Sequence, residues 1–296
     1  MDAVRRAWSL RRHRLRWATS TVRWAIRRSA WLLGHILPLS SRQTLVAAAG
    51  RHKVALGLEF AMGLLHDLHR RDPVGLHRFL WSNHLAYAQT YEVHKRFGST
   101  NINPTRHILF RNMTAHLRAR GLDPARDVQS VFEVGCSMGY LLRHVETEVF
   151  PSATTLHGID IDDYAIQTGS AHLSSLQSRV RLFAADMESA EDILSRCKYN
   201  LVLCCGVLMY VNEAIAEKVV RAMFTGADRL VGLICLAPPR HGWCGVREYD
   251  GAFIHDVDRM IRRAGGSVVS SDWVDTSVSG SSPSHVILAE PGATTR

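Results

Sequence analysis

Residues 131–140 read Val-Phe-Glu-Val-Gly-Cys-Ser-Met-Gly-Tyr, a short apolar run broken by one acid, Glu133, and closed by Gly135 and Gly139. An apolar run of this length between turn signals has the pattern of a strand buried on both faces. Glycines at its end let the main chain turn tightly and approach a ligand with no Cβ in the way. A helix starting near Tyr140 would point its positive N-terminus into the same space.

The texture on either side of this stretch supports the reading. From residue 128, short apolar runs alternate with helical patterns: Val128–Val134 then Tyr140–Val149, Thr155–Ile161 then Tyr164–Leu176, Val180–Ala184 then Glu188–Cys197. Tyr199–Gly206 with Glu213–Phe224 and Arg229–Leu236 with Phe253–Arg263 continue it. Strand–helix alternation of this kind gives a parallel sheet with right-handed crossovers. Two further strands, Ser267–Val274 and His285–Ala289, are separated by Ser277–Ser284, too short for a crossover helix. They are expected to pair as a hairpin. The fold class is therefore α/β: a Rossmann-like doubly wound sheet of seven strands, mostly parallel, with a C-terminal antiparallel hairpin and N-terminal helices.

A second acid, Asp160, follows Gly139 by about twenty residues at the end of strand two (Leu156-His-Gly-Ile-Asp-Ile-Asp162), where a carboxylate can accept ribose hydroxyls. A third, Asp186, stands just past strand three, placed to take an amino proton of adenine; either acid could instead cap a helix. Gly135-Cys-Ser-Met-Gly139 also has the spacing of a nucleophile elbow, with Asp186 or Asp228 and His241 or His255 as later triad partners. Glu133 and the Asp160 motif argue against that reading.

Together these motifs resemble the class I S-adenosylmethionine-dependent methyltransferases over about residues 105–290, most strongly 128–210. The resemblance implies S-adenosylmethionine as cofactor, bound by Glu133, Gly135, Cys136, Ser137, Gly139, Asp160, Ile161, Asp186, Met187 and Cys205. The terminal hairpin belongs to the same pattern. Ser137 replaces the usual middle glycine, and Asn200 stands where an aspartate is common. The implied reaction is in-line displacement at a sulfonium methyl, for which the protein supplies alignment and excludes water.

An oxygen or nitrogen acceptor needs a proton removed, a task suited to histidine. His241, in the loop after strand five, and His255 are the candidates among 16 histidines. Tyr87, Tyr91, Tyr210, Arg240 and Tyr249 are the candidate substrate contacts. The strand-four loop reads Cys-Gly-Val-Leu-Met-Tyr210 rather than the Asn/Asp-Pro-Pro-Tyr that this superfamily uses on amino groups of adenine or glutamine. No carboxylate cluster suggests a metal. A small-molecule acceptor is favoured; the alternatives are an RNA or protein methyltransferase recruited by a basic arm, and a non-catalytic protein of this fold that binds a membrane or partner.

That arm accounts for the charge. The formal net charge is +9, yet residues 1–28 hold nine arginines against Asp2 alone, which leaves the remainder at +1. A nearly neutral body offers no phosphate-tracking surface, so nucleic acid is disfavoured. Val4, Trp8, Leu15, Ala18, Val22, Ile26, Leu33 and Ile36 form one helical stripe, with the arginines mostly off it. Such a segment can lie on an anionic membrane through residues 1–37, act as a transit peptide, or simply pack on the domain. It is too short in apolar length to span a bilayer. Six cysteines without C-x-x-C spacing read as free thiols in a reducing compartment. The expected location is cytoplasmic, with membrane association through the arm.

The expected organisation is a basic amphipathic arm at 1–40, a helical segment at 41–121 that caps the site, and a cofactor-binding catalytic domain at 122–296. Within the second segment, helices are expected over 42–70, from Asp72–Pro73 to about Phe97, and from Thr105 to Arg120.

Overall fold

The computed structural model describes residues 21–52, 56–85, 92–98, 102–238, 243–247, 251–275 and 283–292. It divides into two compact units, Met1–Ala88 and Gln89–Arg296.

The first unit is helical: α1 (residues 21–36), α2 (Leu39–Arg51), α3 (Gly57–Leu64), α4 (Leu68–Arg71) and α5 (Pro73–Ser82). Its core gathers Ala30, Val46, Ala61, Leu64, Leu65, Leu76 and Leu80. The single helix expected over 42–70 is broken. Leu56 takes a left-handed φ of 60° ahead of α3, and Arg42 folds back on the turn between α3 and α4. Its guanidinium is buried, meets Asp67 at 2.6 and 3.2 Å, and donates to the Leu64 carbonyl at 3.0 Å. A buried cation requires such partners, and a straight helix could not provide them. α5 starts as its sequence predicts, with Pro73 in the first turn and Asp72 accepting from the Gly75 amide at 2.8 Å. It stops at Asn83, far short of Phe97, where the Asn83 side chain donates to the Phe79 carbonyl and His84 turns left-handed.

The second unit opens with α6 (Val93–Arg96), α7 (Pro104–Ala119) and α8 (Pro124–Asp127). Asn103 caps α7 by accepting from the Arg106 amide, and Gly121, at φ 77°, lies just past its end. Strands β1 (Ser130–Val134), β2 (Thr155–Asp160), β3 (Val180–Ala184), β4 (Tyr199–Cys205) and β5 (Ala227–Leu236) alternate with helices. These are α9 (Tyr140–His144, continuing as a π-turn to Val149), α10 (Asp163–Ser175), α11 (Ala190–Arg196) and α12 (Glu213–Gly226). A short hairpin, β6 (Gly245–Val246) with β7 (Phe253–Ile254), precedes α13 (Val257–Arg263), and β8 (Gly266–Val274) and β9 (Ser284–Pro291) close the chain. The helix expected from Phe253 begins only at Val257. Phe253 and Ile254 instead pair with Val246 and Gly245, and Asp256 caps α13 by accepting from the Arg259 amide.

Among the described residues the main sheet has seven strands in the order β3-β2-β1-β4-β5-β9-β8. β1 to β5 pair in parallel, and β9 runs antiparallel between β5 and β8, as the short final linker predicts. Successive residues of a strand face opposite sides, so the sheet divides two cores. Val131, Leu201 and Leu203 join α7, α9 and α10 on one face. Phe132, Val202 and Cys204 join α11, α12 and α13 on the other.

Asn200 acts at the strands' N-terminal ends. Its Oδ1 accepts the Gln129 amide at 2.7 Å and the Ser130 amide at 3.2 Å, while its own amide donates to Ser130 Oγ at 2.9 Å. That site requires only an acceptor, so an amide can stand where an aspartate is common.

Candidate functional site

The strand order reverses direction between β1 and β4, and in open α/β sheets the crevice at that switch point, beyond the strands' carboxyl ends, is where ligands bind. Glu133, the Gly135–Gly139 turn, Asp160, Asp186 and Cys205 all lie at or just beyond those ends.

The turn is held by main-chain contacts. The Gly135 and Cys136 amides both donate to the Ile159 carbonyl, at 2.8 and 2.9 Å, and the Gly139 amide donates to the Cys136 carbonyl at 2.9 Å. Gly135 and Gly139 sit at φ 76° and 78°, a region that costs other residues roughly 1–2 kcal/mol. Space forbids a side chain too: a Cβ on Gly135 would lie 2.2 Å from Val207 Cγ2. Ser137 takes a left-handed φ of 51° despite its side chain. Its amide donates to Asp160 Oδ2 at 2.8 Å, and the Asp162 amide donates to Oδ1 at 3.0 Å. Beyond β2, the Ala185 amide donates to the Asp160 carbonyl at 2.9 Å, drawing the end of β3 alongside. Ile161 comes next in the chain, half-buried. Asp186 accepts from the Glu188 amide at 3.1 Å, capping a 3-10 turn from Met187 to Ser189.

The electrostatics are those of acids withdrawn from water. Burial pushes Glu133 up to about 8, with Arg106 pulling it down and Asp160 pushing it further up. Burial likewise raises Asp160 to about 6, against the pull of the Asp162 and Ser137 amides. Cys136 and Cys205 are buried thiols raised by desolvation, not activated thiolates. Glu133 Oε2 and Ser137 Oγ are buried without a hydrogen-bond partner. Buried polar atoms are rarely left so, and two of them flanking one glycine turn fit a polar ligand seated there.

Arg106 was not apparent in the sequence. A lone arginine in an amphipathic helix reads as solvated, yet α7 turns this one inward. Its guanidinium carbon lies 5.5 Å from the centre of the buried Tyr140 ring, and Arg96 lies 5.0 Å from the same ring. Arg106 also lowers the Glu133 and Cys205 titrations, which brings it electrostatically to the β1 and β4 ends.

The acceptor side is less complete. His241, Arg240, Tyr249, Tyr87 and Tyr91 lie outside the described residues. Tyr210 ends a 3-10 turn, Leu208–Tyr210, after β4. His255 is buried; its Nε2 lies 2.9 Å from the Leu208 carbonyl, and the Val211 carbonyl is its other main-chain partner. Burial lowers its pKa, against the pull of the Leu208 and Val211 carbonyls, which favour the protonated ring. In this position it braces the loop after β4.

Residues 131–226 match a family model described as a methyltransferase domain. No curated protein matches the chain. Among solved structures, magnesium protoporphyrin IX methyltransferase from Synechocystis, with bound S-adenosylmethionine, superposes with a TM-score of 0.51 at 17% identity, covering 75% of this chain and 98% of that one. A structure of the same enzyme with bound S-adenosylhomocysteine gives 0.52 at 17% identity over 75% and 100%. An S-adenosylmethionine-dependent methyltransferase from Leishmania major gives 0.52 at 15% identity over 75% and 86%. The fold is theirs, and the match to the methyltransferase domain covers β1 to α12, the stretch that carries the glycine turn, Asp160 and Asp186.

Proposed function

We propose that the protein transfers a methyl group from S-adenosylmethionine to an oxygen or nitrogen of a small molecule. The observation that carries the acceptor class is the loop after β4: Gly206-Val-Leu-Met-Tyr210 offers apolar side chains and a phenol, with no paired acceptors for a planar amide or base edge. The near-neutral body points the same way, since a nucleic-acid substrate needs a cationic track.

The residues fit the cofactor. Asp160 would accept the ribose hydroxyls and Asp186 the adenine amino group, with Ile161 and Met187 against the base. Ser137 Oγ and the glycine turn would meet the methionine portion. Glu133, once ionised, can pair with the ammonium, and Arg106 supplies the positive charge that a carboxylate requires. The cofactor's sulfonium supplies an already activated methyl group. The chain's part is to hold the nucleophile in line at about 3–3.5 Å and to keep water out. Tyr210, Tyr91, Arg240 and Tyr249 are the candidate contacts to the acceptor. His241 is the candidate to remove the acceptor's proton; His255, bonded to main-chain carbonyls, acts through the loop it holds.

Incubation of the full-length protein with methyl-labelled S-adenosylmethionine and fractionated cell extract tests this reading. Label entering the low-molecular-mass organic fraction, and lost with Asp160→Ala, is the expected result. Label entering RNA or protein instead would establish the alternative acceptor class, in which residues 1–28 recruit the substrate. Cofactor binding with no transfer to any fraction would favour a non-catalytic role.

A further inference from the structure

α1 is inverted relative to an ordinary surface helix. At 100° per residue, its inward edge carries Ala30 and Gly34, both buried, while Val22, Ala25, Ser29, Leu32, Leu33 and Ile36 fall together in one exposed sector about 100° wide, bordered by Arg28. The small residues allow close packing on α3: a Cβ on Gly63 would lie 2.3 Å from the Arg27 carbonyl and 2.8 Å from Ala30 Cβ. The large residues are left in solvent. Ile36 is 79% exposed, Leu32 53%, Val22 50% and Leu33 44%, with Trp24 beside them at 67%. Isolated exposed apolar residues are ordinary, but an apolar face along a whole helix marks an interaction surface.

The charge around that face selects the occupant. Arg23 and Arg28 are exposed on the same helix, and Arg28 lies over the Trp31 ring at 4.1 Å. With the preceding chain, residues 1–28 carry a net +8. An exposed apolar sector bordered by the Arg28 guanidinium, with the Trp24 indole beyond it, matches an acyl-chain boundary beneath anionic headgroups. A second copy of this chain would bring two such +8 segments together, which their repulsion opposes. No described helix is long and apolar enough to cross a membrane, and the exposed apolar sector of the described part of α1 suits a helix lying along the interface. We propose that α1 is a membrane-surface element: it seats the Val22–Ile36 face in an anionic bilayer, with its arginines on the phosphates. This goes beyond the methyl-transfer reading and does not depend on it.

Co-sedimentation of the full-length protein with phosphatidylcholine vesicles containing about one-third phosphatidylglycerol tests the proposal. Binding should be at least tenfold weaker to pure phosphatidylcholine and should fall at high salt. The double substitution Leu32→Glu with Ile36→Glu should weaken it at least tenfold. Retained S-adenosylhomocysteine affinity and an unchanged circular dichroism spectrum would show that this variant is folded. If the variant is misfolded, Leu32→Ser with Ile36→Ser serves in its place, with the same expected direction. Wild-type protein that ignores anionic vesicles overturns the proposal. So does binding that the substitutions leave intact, which would assign it to the arginines alone. A dimer in light scattering that the same substitutions disperse, without vesicle binding, would make the face a contact between copies. Retention on RNA without vesicle binding would also overturn it. Methyl-transfer activity is read separately, so either reading can fail alone.

Discussion

The Ser137 amide donates to Asp160 Oδ2 at 2.8 Å, so the acid that ends β2 is also what holds the glycine-rich turn after β1. The Asp162 amide occupies the other oxygen at 3.0 Å, which fixes the plane of the carboxylate. One side chain thus orders both the turn after β1 and the start of the segment after β2. A site built this way is organised before the ligand arrives, which lowers the ordering cost of binding.

Asp160→Ala should therefore harm two properties. Hydrogen bonds to charged groups contribute about 1.5–3 kcal/mol, so calorimetric affinity for S-adenosylhomocysteine should fall between about tenfold and a hundredfold. Midpoint temperature should fall as well, because the left-handed Ser137 loses the acceptor that holds its amide. Asp160→Asn keeps one acceptor and should lie between wild type and Ala on both measures. Unchanged affinity in the Ala variant would remove Asp160 from the cofactor site.

The two raised acids make a pH prediction with a definite sign. Glu133 is pushed up to about 8 and Asp160 to about 6, both chiefly by burial. Each holds its proton more tightly in the folded chain than in the unfolded one. Their contribution to stability is full below the ordinary carboxylate range and is lost as pH rises through 6 and then 8. Urea midpoints of the free protein should decline over that window, and Glu133→Gln should abolish the part near 8. Binding of the ammonium-bearing ligand should strengthen over the same rise, since it favours ionised Glu133. A Glu133→Gln profile identical to wild type would refute this assignment.

The same physics decides which parts of the chain were legible. β3 matches its expected bounds, Val180–Ala184, although it is the edge strand of the sheet and only Val180 in it is buried. The final hairpin followed from the length of a linker alone. The break in 42–70 was not legible: it depends on Arg42 meeting Asp67 twenty-five positions later, and periodicity is blind to a pairing across that distance. Arg106 escaped for a related reason. Its role depends on which way α7 is turned, and that is decided by the packing of Leu109, Met113 and Leu117 under the sheet.

Asn200 offers a test of a departure from the family pattern. Only its Oδ1 is used as an acceptor, by the Gln129 and Ser130 amides. Asn200→Asp supplies the same acceptor and should be neutral or stabilising. Asn200→Ala leaves two main-chain donors at the joint of β1 and β4 and should cost about 1–2 kcal/mol in urea denaturation. Equal stability of the two variants would show that the clamp contributes nothing.

Glu146 should be the acid-sensitive element of the fold. It lies buried in the π-turn after α9, where it accepts from Arg143 at 2.6 Å, Ser178 Oγ at 2.5 Å, and the Arg179 amide and Nε at 2.7 and 3.0 Å. Burial alone would raise its pKa, but these donors outweigh burial and hold it down at about 2. The sign is opposite to that of Glu133: the stabilisation is present above the ordinary glutamate range and is lost as pH falls through about 2. Glu146→Gln keeps the shape but removes the charge from between two guanidinium groups. Because both arginines remain partly hydrated, the loss should fall short of the roughly 3–5 kcal/mol of fully buried pairs, at about 2–3 kcal/mol at neutral pH. Wild type and variant should then converge in stability as pH approaches 2. A gap that persists unchanged to that pH would mean that the side chain's packing, not its charge, carries the effect.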